Sequence, residues 1–172
     1  NAKPGYTALW KHILNVSVTD LKKNYEKLMV SFDLWNGESD VQYLIPDMVR
    51  EMKESGVAYI SDGALVVDVK EETDTKEIPP CMILKSDGAT LYVTRDLAAA
   101  VYRKNTYDFA KNIYVVGNEQ SLHFKQLKAV LKKLGYEWSD DMIHVPFGLI
   151  LKDGQKMSTR KGKVVLLEEV LA

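Results

Sequence analysis

Hydrophobic residues recur at helical spacing in the first third of the chain. Apolar positions three and four residues apart predict a helix over residues 17–31, with Ser17 as its N-terminal cap. A second stretch with the same period ends at Gly56, and Pro46 inside it must kink the helix or divide it in two. We therefore expect amphipathic helices before the first strand.

Two β-rich segments follow, and each has a Ser-Asp-Gly turn at its centre. "VAYISDGALVVDV" and "CMILKSDGATLYVT" are both typical of β-hairpins. Between them lies "KEETDTKEIPP", which is polar and ends in two prolines. The composition change predicts a domain boundary there, with a small α+β module over residues 1–76 and a second domain over residues 77–172.

Helices and short apolar strands alternate after this boundary. The pattern predicts a helix over residues 95–104, a buried strand at "NIYVVG", a helix over residues 121–134 stopped by Gly135, and a further strand region at "MIHVPFGLIL". Such alternation is typical of parallel βαβ units. The predicted fold class is α/β, with about half of a nucleotide-binding parallel sheet. The apolar face of the longer helix is predicted to comprise Leu122, Leu127, Val130, Leu131 and Leu134.

Composition and charge narrow the class of protein. The chain has 172 residues, of which 46% are hydrophobic, and its net charge of −1 argues against an overall basic surface for nucleic acid. The single cysteine, Cys81, excludes an internal disulfide and favours a reducing, cytoplasmic setting. No apolar run approaches the ~18 residues that span a bilayer, so no membrane partner is expected. The three histidines are far apart in sequence, and no metal site is predicted.

A basic loop follows the last predicted strand. "DGQKMSTRKGKVV" combines basic side chains with two hydroxyls between Gly154 and Gly162. It lacks the glycine spacing of a P-loop, so any phosphate contact must come from side chains. From composition alone the loop is either a solvated turn or a phosphate-binding loop.

The ordered string "KMSTR" resembles the Lys-Met-Ser-Lys signature of class I aminoacyl-tRNA synthetases. Together with "HVPFGLIL", "KSDGATLYVTRDLAAA", "VVGNEQSLHFKQL" and "FDLWNGESD", it is similar to arginyl-tRNA synthetases in particular. The resemblance implies the C-terminal half of a Rossmann-like sheet, with residues 1–76 as an attached insertion module. It also implies a parent enzyme that activates L-arginine with ATP, accompanied by Mg²⁺, and transfers it to tRNA(Arg).

The resemblance assigns roles to residues of the loop and of the strand ends. Lys156, Ser158 and Arg160 are expected to act in catalysis. Thr159 departs from the signature, which leaves open whether Arg160 or Lys161 takes the role of its final lysine. The residues expected to contact ATP are His123, Phe147, Gly148 and Met157.

Recognition of arginine is expected to fall to three further residues. A guanidinium is read best by a carboxylate together with neutral acceptors or a ring. By motif, the resemblance implies Tyr92, Asp96 and Gln120. Without it, Asp96 would be an acid near a helix N-terminus, Tyr92 a half-buried strand aromatic and Gln120 a residue of a helix cap. Arg95 could pair with Asp96, but adjacent side chains leave the backbone in different directions.

The other synthetase signature, His-Ile-Gly-His, does not occur in these residues. We therefore expect the chain to be part of a longer protein and to be inactive alone. The alternative is a non-catalytic, synthetase-like module that binds RNA or a protein. Salt-sensitive RNA binding without a response to arginine would distinguish that alternative.

Overall fold

The computed structural model describes residues 3–152, 154–157 and 165–171. Its helices are α1 (Pro4–Lys27), α2 (Ile45–Glu54), α3 (Tyr92–Tyr107), α4 (Ser121–Lys133) and α5 (Leu167–Val170). Its strands are β1 (Ala58–Ser61), β2 (Ala64–Val67), β3 (Cys81–Leu84), β4 (Asn112–Gly117), β5 (Met142–Phe147), β6 (Leu151–Lys152) and β7 (Gln155–Lys156). The predicted α/β class is confirmed. Within the described ranges, no helix is both long enough and apolar enough to cross a membrane.

The chain divides into two compact units. One unit is Asn36–Leu149, and the other comprises Asn1–Trp35 with Ile150–Ala172. The first contains β1 to β5 and helices α2 to α4, whereas the second contains α1, the β6–β7 pair and α5. The predicted division into residues 1–76 and 77–172 stays a prediction, although β2 and β3 pair in one sheet across that boundary.

The antiparallel sheet has the order β1-β2-β3. The first predicted hairpin is confirmed: Asp62 and Gly63 turn between β1 and β2 with φ of 48° and 79°. The second is only partly correct, because beyond Gly88 a single bridge joins Leu84 to Thr90. The predicted strand "LYVT" is wrong, since α3 begins at Tyr92.

Strands β4 and β5 form a parallel pair. Their register runs from Asn112 opposite Met142 to Gly117 opposite Phe147. Helix α4 lies between them in sequence, so the predicted βαβ unit is confirmed. Gly135 ends this helix region as predicted, with a φ of 84° that suits glycine.

The hydrophobic core lies in the Asn36–Leu149 unit. It joins α2, β3, α3 and α4, and its fully buried members include Met52, Ile83, Leu97, Leu127 and Leu131. The predicted face of α4 is correct for Leu127, Val130 and Leu131. It is wrong for Leu122, which is 54% exposed.

Two predicted helix boundaries are resolved by the structure. Helix α1 passes through Ser17 without a break, so the predicted start at that residue is wrong. The second pattern divides at Pro46: a 3-10 helix covers Glu38–Leu44, and the proline lies in the first turn of α2. Proline fits there because the first turn does not need its N–H.

Aromatic side chains pack within each unit. In the Asn36–Leu149 unit, the ring of Trp138 lies 5.7 Å from Phe109 and 5.0 Å from Tyr136. In the other unit, Trp35 lies 5.4 Å from Phe32. Each unit therefore has tryptophan in an aromatic contact of its own.

Candidate functional site

Asp96 and His123 meet between two helices. Asp96 lies in the second turn of α3 and His123 in the first turn of α4. The Nε2 atom of His123 is 2.6 Å from Oδ2 of Asp96, and the side chains are 20% and 34% exposed. The carboxylate is thus held by a ring N–H and is still open to solvent.

A polar network surrounds Tyr114 on β4 nearby. Its hydroxyl oxygen accepts hydrogen bonds from Asn112 Nδ2 at 2.9 Å and from Arg103 Nη1 at 3.2 Å, and Met142 Sδ lies 4.0 Å away. Burial raises the pKa of this hydroxyl, although Arg103 opposes the shift. Tyr114 therefore stays a neutral phenol that fixes the Arg103 guanidinium.

An aromatic layer backs His123. Phe124 is buried, and its ring stacks on His144 at 4.5 Å and lies 4.8 Å from Tyr114. His123 meets the same ring edge-on at 5.2 Å. Nε2 of His144 is 2.9 Å from the carbonyl oxygen of Val116, which ties the histidine to β4. His123 is therefore packed on one side by Phe124 and faces Asp96 through Nε2.

Asp96 also lines a cavity of roughly 320 Å³. The charged groups around it are the carboxylates of Glu38, Asp40 and Asp96 and the guanidinium groups of Arg95 and Arg103. Arg95 Nη1 is 3.1 Å from Glu38 Oε2, so this guanidinium is directed to Glu38. With three carboxylates and two guanidinium groups, these side chains carry a formal charge of −1 in total.

No motif in the sequence assigns Glu38 or Arg103 to a site. Glu38 lies in the motif "FDLWNGESD", which carries the family resemblance, but no chemistry pointed to Arg95 as its partner. Arg103 appears in the sequence as a basic residue on a helix face. Only the packing of α3 against β4 brings Arg103 to Tyr114.

Tyr92 lies about one turn before Asp96, and Gln120 lies about one turn before His123. Tyr92 starts α3 four residues before Asp96, which places both on one helix face, and its side chain is exposed. Gln120 ends the 3-10 turn Asn118–Gln120 three residues before His123, and it is also exposed. Both are accessible to a ligand.

The remaining predicted residues lie farther along the chain. Phe147 ends β5 opposite Gly117 and is 52% exposed, and Gly148 follows it. Lys156 is in β7, where it pairs with Leu151, and Met157 is half-buried. Lys156 and Met157 belong to the unit that comprises Asn1–Trp35 and Ile150–Ala172. Ser158 and Arg160 lie outside the described residues.

In the part of the chain that the structure describes, no group of three or more His, Cys, Asp or Glu side chains could hold a metal ion. The chemistry this site offers is recognition of a cation by a positioned carboxylate.

Comparison with protein families gives a match over the whole chain. Residues 1–172 match the model described as "tRNA synthetases class I (R), catalytic domain". An arginine–tRNA ligase of Enterococcus faecalis is 56% identical over 163 residues, which cover 95% of this chain and 28% of that protein. One of Streptococcus thermophilus is 55% identical over 166 residues, which cover 96% of this chain and 29% of that protein.

Solved structures agree in fold. The arginyl-tRNA synthetase of Plasmodium falciparum has a TM-score of 0.77 at 24% identity, over 88% of this chain and 26% of that chain. That of Thermus thermophilus has a TM-score of 0.76 at 19% identity, over 93% of this chain and 33% of that chain. The chain thus spans less than a third of the length of the curated relatives.

Proposed function

The chain belongs to the family of class I arginyl-tRNA synthetase catalytic domains, and on this premise we propose that it forms an arginine- and ATP-binding part of an arginyl-tRNA synthetase. In the first step, the carboxylate of L-arginine attacks the α-phosphorus of ATP, giving arginyl-adenylate and pyrophosphate. In the second, a ribose hydroxyl of tRNA(Arg) attacks the carbonyl carbon of arginyl-adenylate, which forms the arginyl ester and releases AMP. The supporting observation is the accessible carboxylate of Asp96, on the wall of a cavity whose charged side chains sum to a formal charge of −1.

Arginine recognition is proposed to centre on Asp96. A guanidinium presents paired N–H groups that match the two oxygens of a carboxylate. Arg95 is directed to Glu38, which leaves Asp96 for the substrate. Tyr92 lies on the same helix face and can offer its ring or hydroxyl, and Gln120 can accept an N–H through its amide oxygen.

ATP is proposed to lie at the end of β5. Phe147 and Gly148 offer an exposed ring and an uncrowded backbone for the adenine. The family resemblance also assigns His123 and Met157 to ATP. Catalysis would rest on Lys156, Ser158 and Arg160, with Lys161 as the alternative final cation. Their positive charges and hydroxyl would stabilise charge on the leaving pyrophosphate, so catalysis is by position and electrostatics.

Mg²⁺ is proposed to arrive bound to the phosphates of ATP, whose charge it neutralises. Mg²⁺ commonly keeps several waters and binds through substrate phosphates and one or two carboxylates. The described residues offer no larger set of ligands, which fits a metal carried by the nucleotide.

The isolated chain is proposed to lack aminoacylation activity. Its residues do not include His-Ile-Gly-His, whose histidines stabilise the phosphate during adenylate formation in this class. The proposed site of action is the cytoplasm, where ATP and tRNA(Arg) are available.

The test uses a full-length synthetase that carries this chain in place of the matching 163 residues of the Enterococcus faecalis relative. Arginine-dependent ATP–pyrophosphate exchange is measured with tRNA(Arg) present. Asp96→Asn should raise the KM for arginine at least ~10-fold, since a hydrogen bond to a charged group contributes about 1.5–3 kcal/mol. The KM for ATP should change by no more than about 2-fold.

Asp108→Asn is the matched control. It removes one carboxylate from the other end of the same helix, where a φ of 44° suits asparagine. Equal rises in the KM values for arginine and ATP in Asp96→Asn would contradict the proposal. Salt-sensitive RNA binding without exchange would favour the non-catalytic module instead.

A further inference from the structure

Among the residues that the structure describes, the polar partner of the His123 side chain is Asp96, the residue proposed to bind arginine. The distance from Nε2 to Oδ2 is 2.6 Å, which is short for an N–H donor to a carboxylate. Asp96 and His123 lie 27 residues apart, on different helices. Their contact is therefore a product of the tertiary fold.

The ring of His123 packs against a buried aromatic neighbour. It meets Phe124 edge-on at 5.2 Å, and Phe124 is stacked on His144 at 4.5 Å. Phe124 is 7% exposed, so this packing is internal. A donor held in one orientation fixes the carboxylate that it contacts, because a short hydrogen bond restricts rotation of the Asp96 side chain.

The contact leaves room for a guanidinium. An ionised carboxylate has about four acceptor positions, two on each oxygen. His123 occupies one of them on Oδ2. A bidentate guanidinium needs one on each oxygen, so it can bind while the histidine contact persists.

We propose that His123 is a positioning residue for arginine specificity, which acts by orienting the Asp96 carboxylate through the Nε2 contact. The inference rests on the proposed function and deepens it, because it assigns to His123 a role in amino-acid selection that is separate from a nucleotide contact. A carboxylate held in one orientation favours a planar guanidinium over a neutral analogue. Only the guanidinium can give both oxygens of Asp96 a charge-assisted hydrogen bond.

The experiment is a double-mutant cycle in the full-length synthetase that carries this chain. His123→Leu, Asp96→Asn and the double variant are compared by their KM for arginine and for ATP, and by inhibition with citrulline. His123→Leu should raise the KM for arginine about 10-fold, and it should raise the KM for ATP by clearly less than that. In the Asp96→Asn background the same substitution should change the KM for arginine by less than about 2-fold, because coupled residues are non-additive.

His123→Gln separates positioning from packing. The amide nitrogen of glutamine can donate near the place of Nε2, so this variant should restore the KM for arginine to within about 3-fold of the parent. Discrimination against citrulline should fall in the leucine variant and recover in the glutamine variant.

Three results would overturn the inference. The first is a rise in the KM for ATP that matches or exceeds the rise for arginine, which would make His123 a nucleotide residue. The second is additive losses in the double variant, and the third is a glutamine variant as poor as the leucine variant. If the parent itself shows no arginine-dependent exchange, the proposed function fails instead, so the two failures are distinguishable.

Discussion

The hydroxyl group of Thr94 donates a hydrogen bond to the carbonyl oxygen of Ile83 at 2.5 Å. The same oxygen atom of Thr94 accepts a hydrogen bond from the backbone N–H of Leu91 at 3.1 Å. Thr94 is fully buried, so these contacts join the first turn of α3 to β3 inside the core. Asp96 lies in the next turn of α3, directly after this anchored first turn.

Replacing this hydroxyl by a methyl group should destabilise the fold. Thr94→Val keeps the shape but leaves the Ile83 carbonyl and the Leu91 N–H without their partner. The expected loss in unfolding free energy is about 1–3 kcal/mol. Urea unfolding followed by circular dichroism measures it, with the exposed Thr106→Val as the control. Equal effects of the two substitutions would contradict this account.

Two leucines of α4 should differ sharply in their contribution to stability. Leu127 is fully buried and Leu122 is 54% exposed. Leu127→Ala should lower the unfolding free energy by about 2–5 kcal/mol through lost burial and a cavity. Leu122→Ala should lower it by less than about 1 kcal/mol. Midpoints of urea unfolding compare the two, and similar values would show that Leu122 is part of the core.

The end of α4 depends on a left-handed residue. Gly135 has a φ of 84°, and a Cβ there would meet no atom within 4 Å, so the cost of a side chain is conformational. Gly135→Ala should destabilise by about 1 kcal/mol. Gly135→Asn should cost less, because asparagine visits this region more readily. Thermal unfolding of both variants tests the order, and the reverse order would exclude a φ-based cost.

Cys81 gives the chain a pH-dependent stability. Burial raises the pKa of its thiol from 9.0 to about 11. The thiol's contribution is therefore fully present below pH 9 and is lost as the pH rises through about 11, since the unfolded chain ionises first. The difference in unfolding free energy between the parent and Cys81→Ala should shrink over that range. A constant difference would show that the folded thiol ionises normally.

Glu38 should protect the arginine site from a neighbouring cation. Its carboxylate holds Arg95 at 3.1 Å. In Glu38→Gln, Arg95 loses that charge partner and can turn towards Asp96, so the KM for arginine should rise about 3-fold. Adding Arg95→Gln should reverse the rise. Steady-state exchange kinetics measure both, and a larger defect in the double variant would contradict the competition.

Local patterns predicted much of the fold. The Asp-Gly turn of the first hairpin, the parallel pairing of "NIYVVG" with the first six residues of "MIHVPFGLIL" and the glycine stop of α4 are local features, and these are confirmed. The predicted burial of "NIYVVG" is wrong, because Ile113 and Val115 are more than half exposed. The failed strand "LYVT" shows where this reasoning ends. Its β-forming residues favour a strand, but the Thr94 hydroxyl contacts Ile83, eleven residues earlier, and accepts the Leu91 N–H, which stabilises the first turn of a helix instead.

The candidate site shows the same division. Motif resemblance pointed separately to Asp96 and His123, and each is followed by a stretch of helix that its own sequence predicts. Their 2.6 Å contact depends on how α3 packs against α4, which no local pattern contains. Arg103 was missed for the same reason, because its partner Tyr114 is on a strand.

The separate aromatic contacts of the two units have an optical consequence. The chain has three tryptophans, of which Trp138 alone belongs to Asn36–Leu149, whereas Trp10 and Trp35 belong to the other unit. In a Trp10→Phe, Trp35→Phe variant, all tryptophan fluorescence would come from Trp138. Its emission maximum would report unfolding of the unit that contains Asp96, independently of α1 and the chain end.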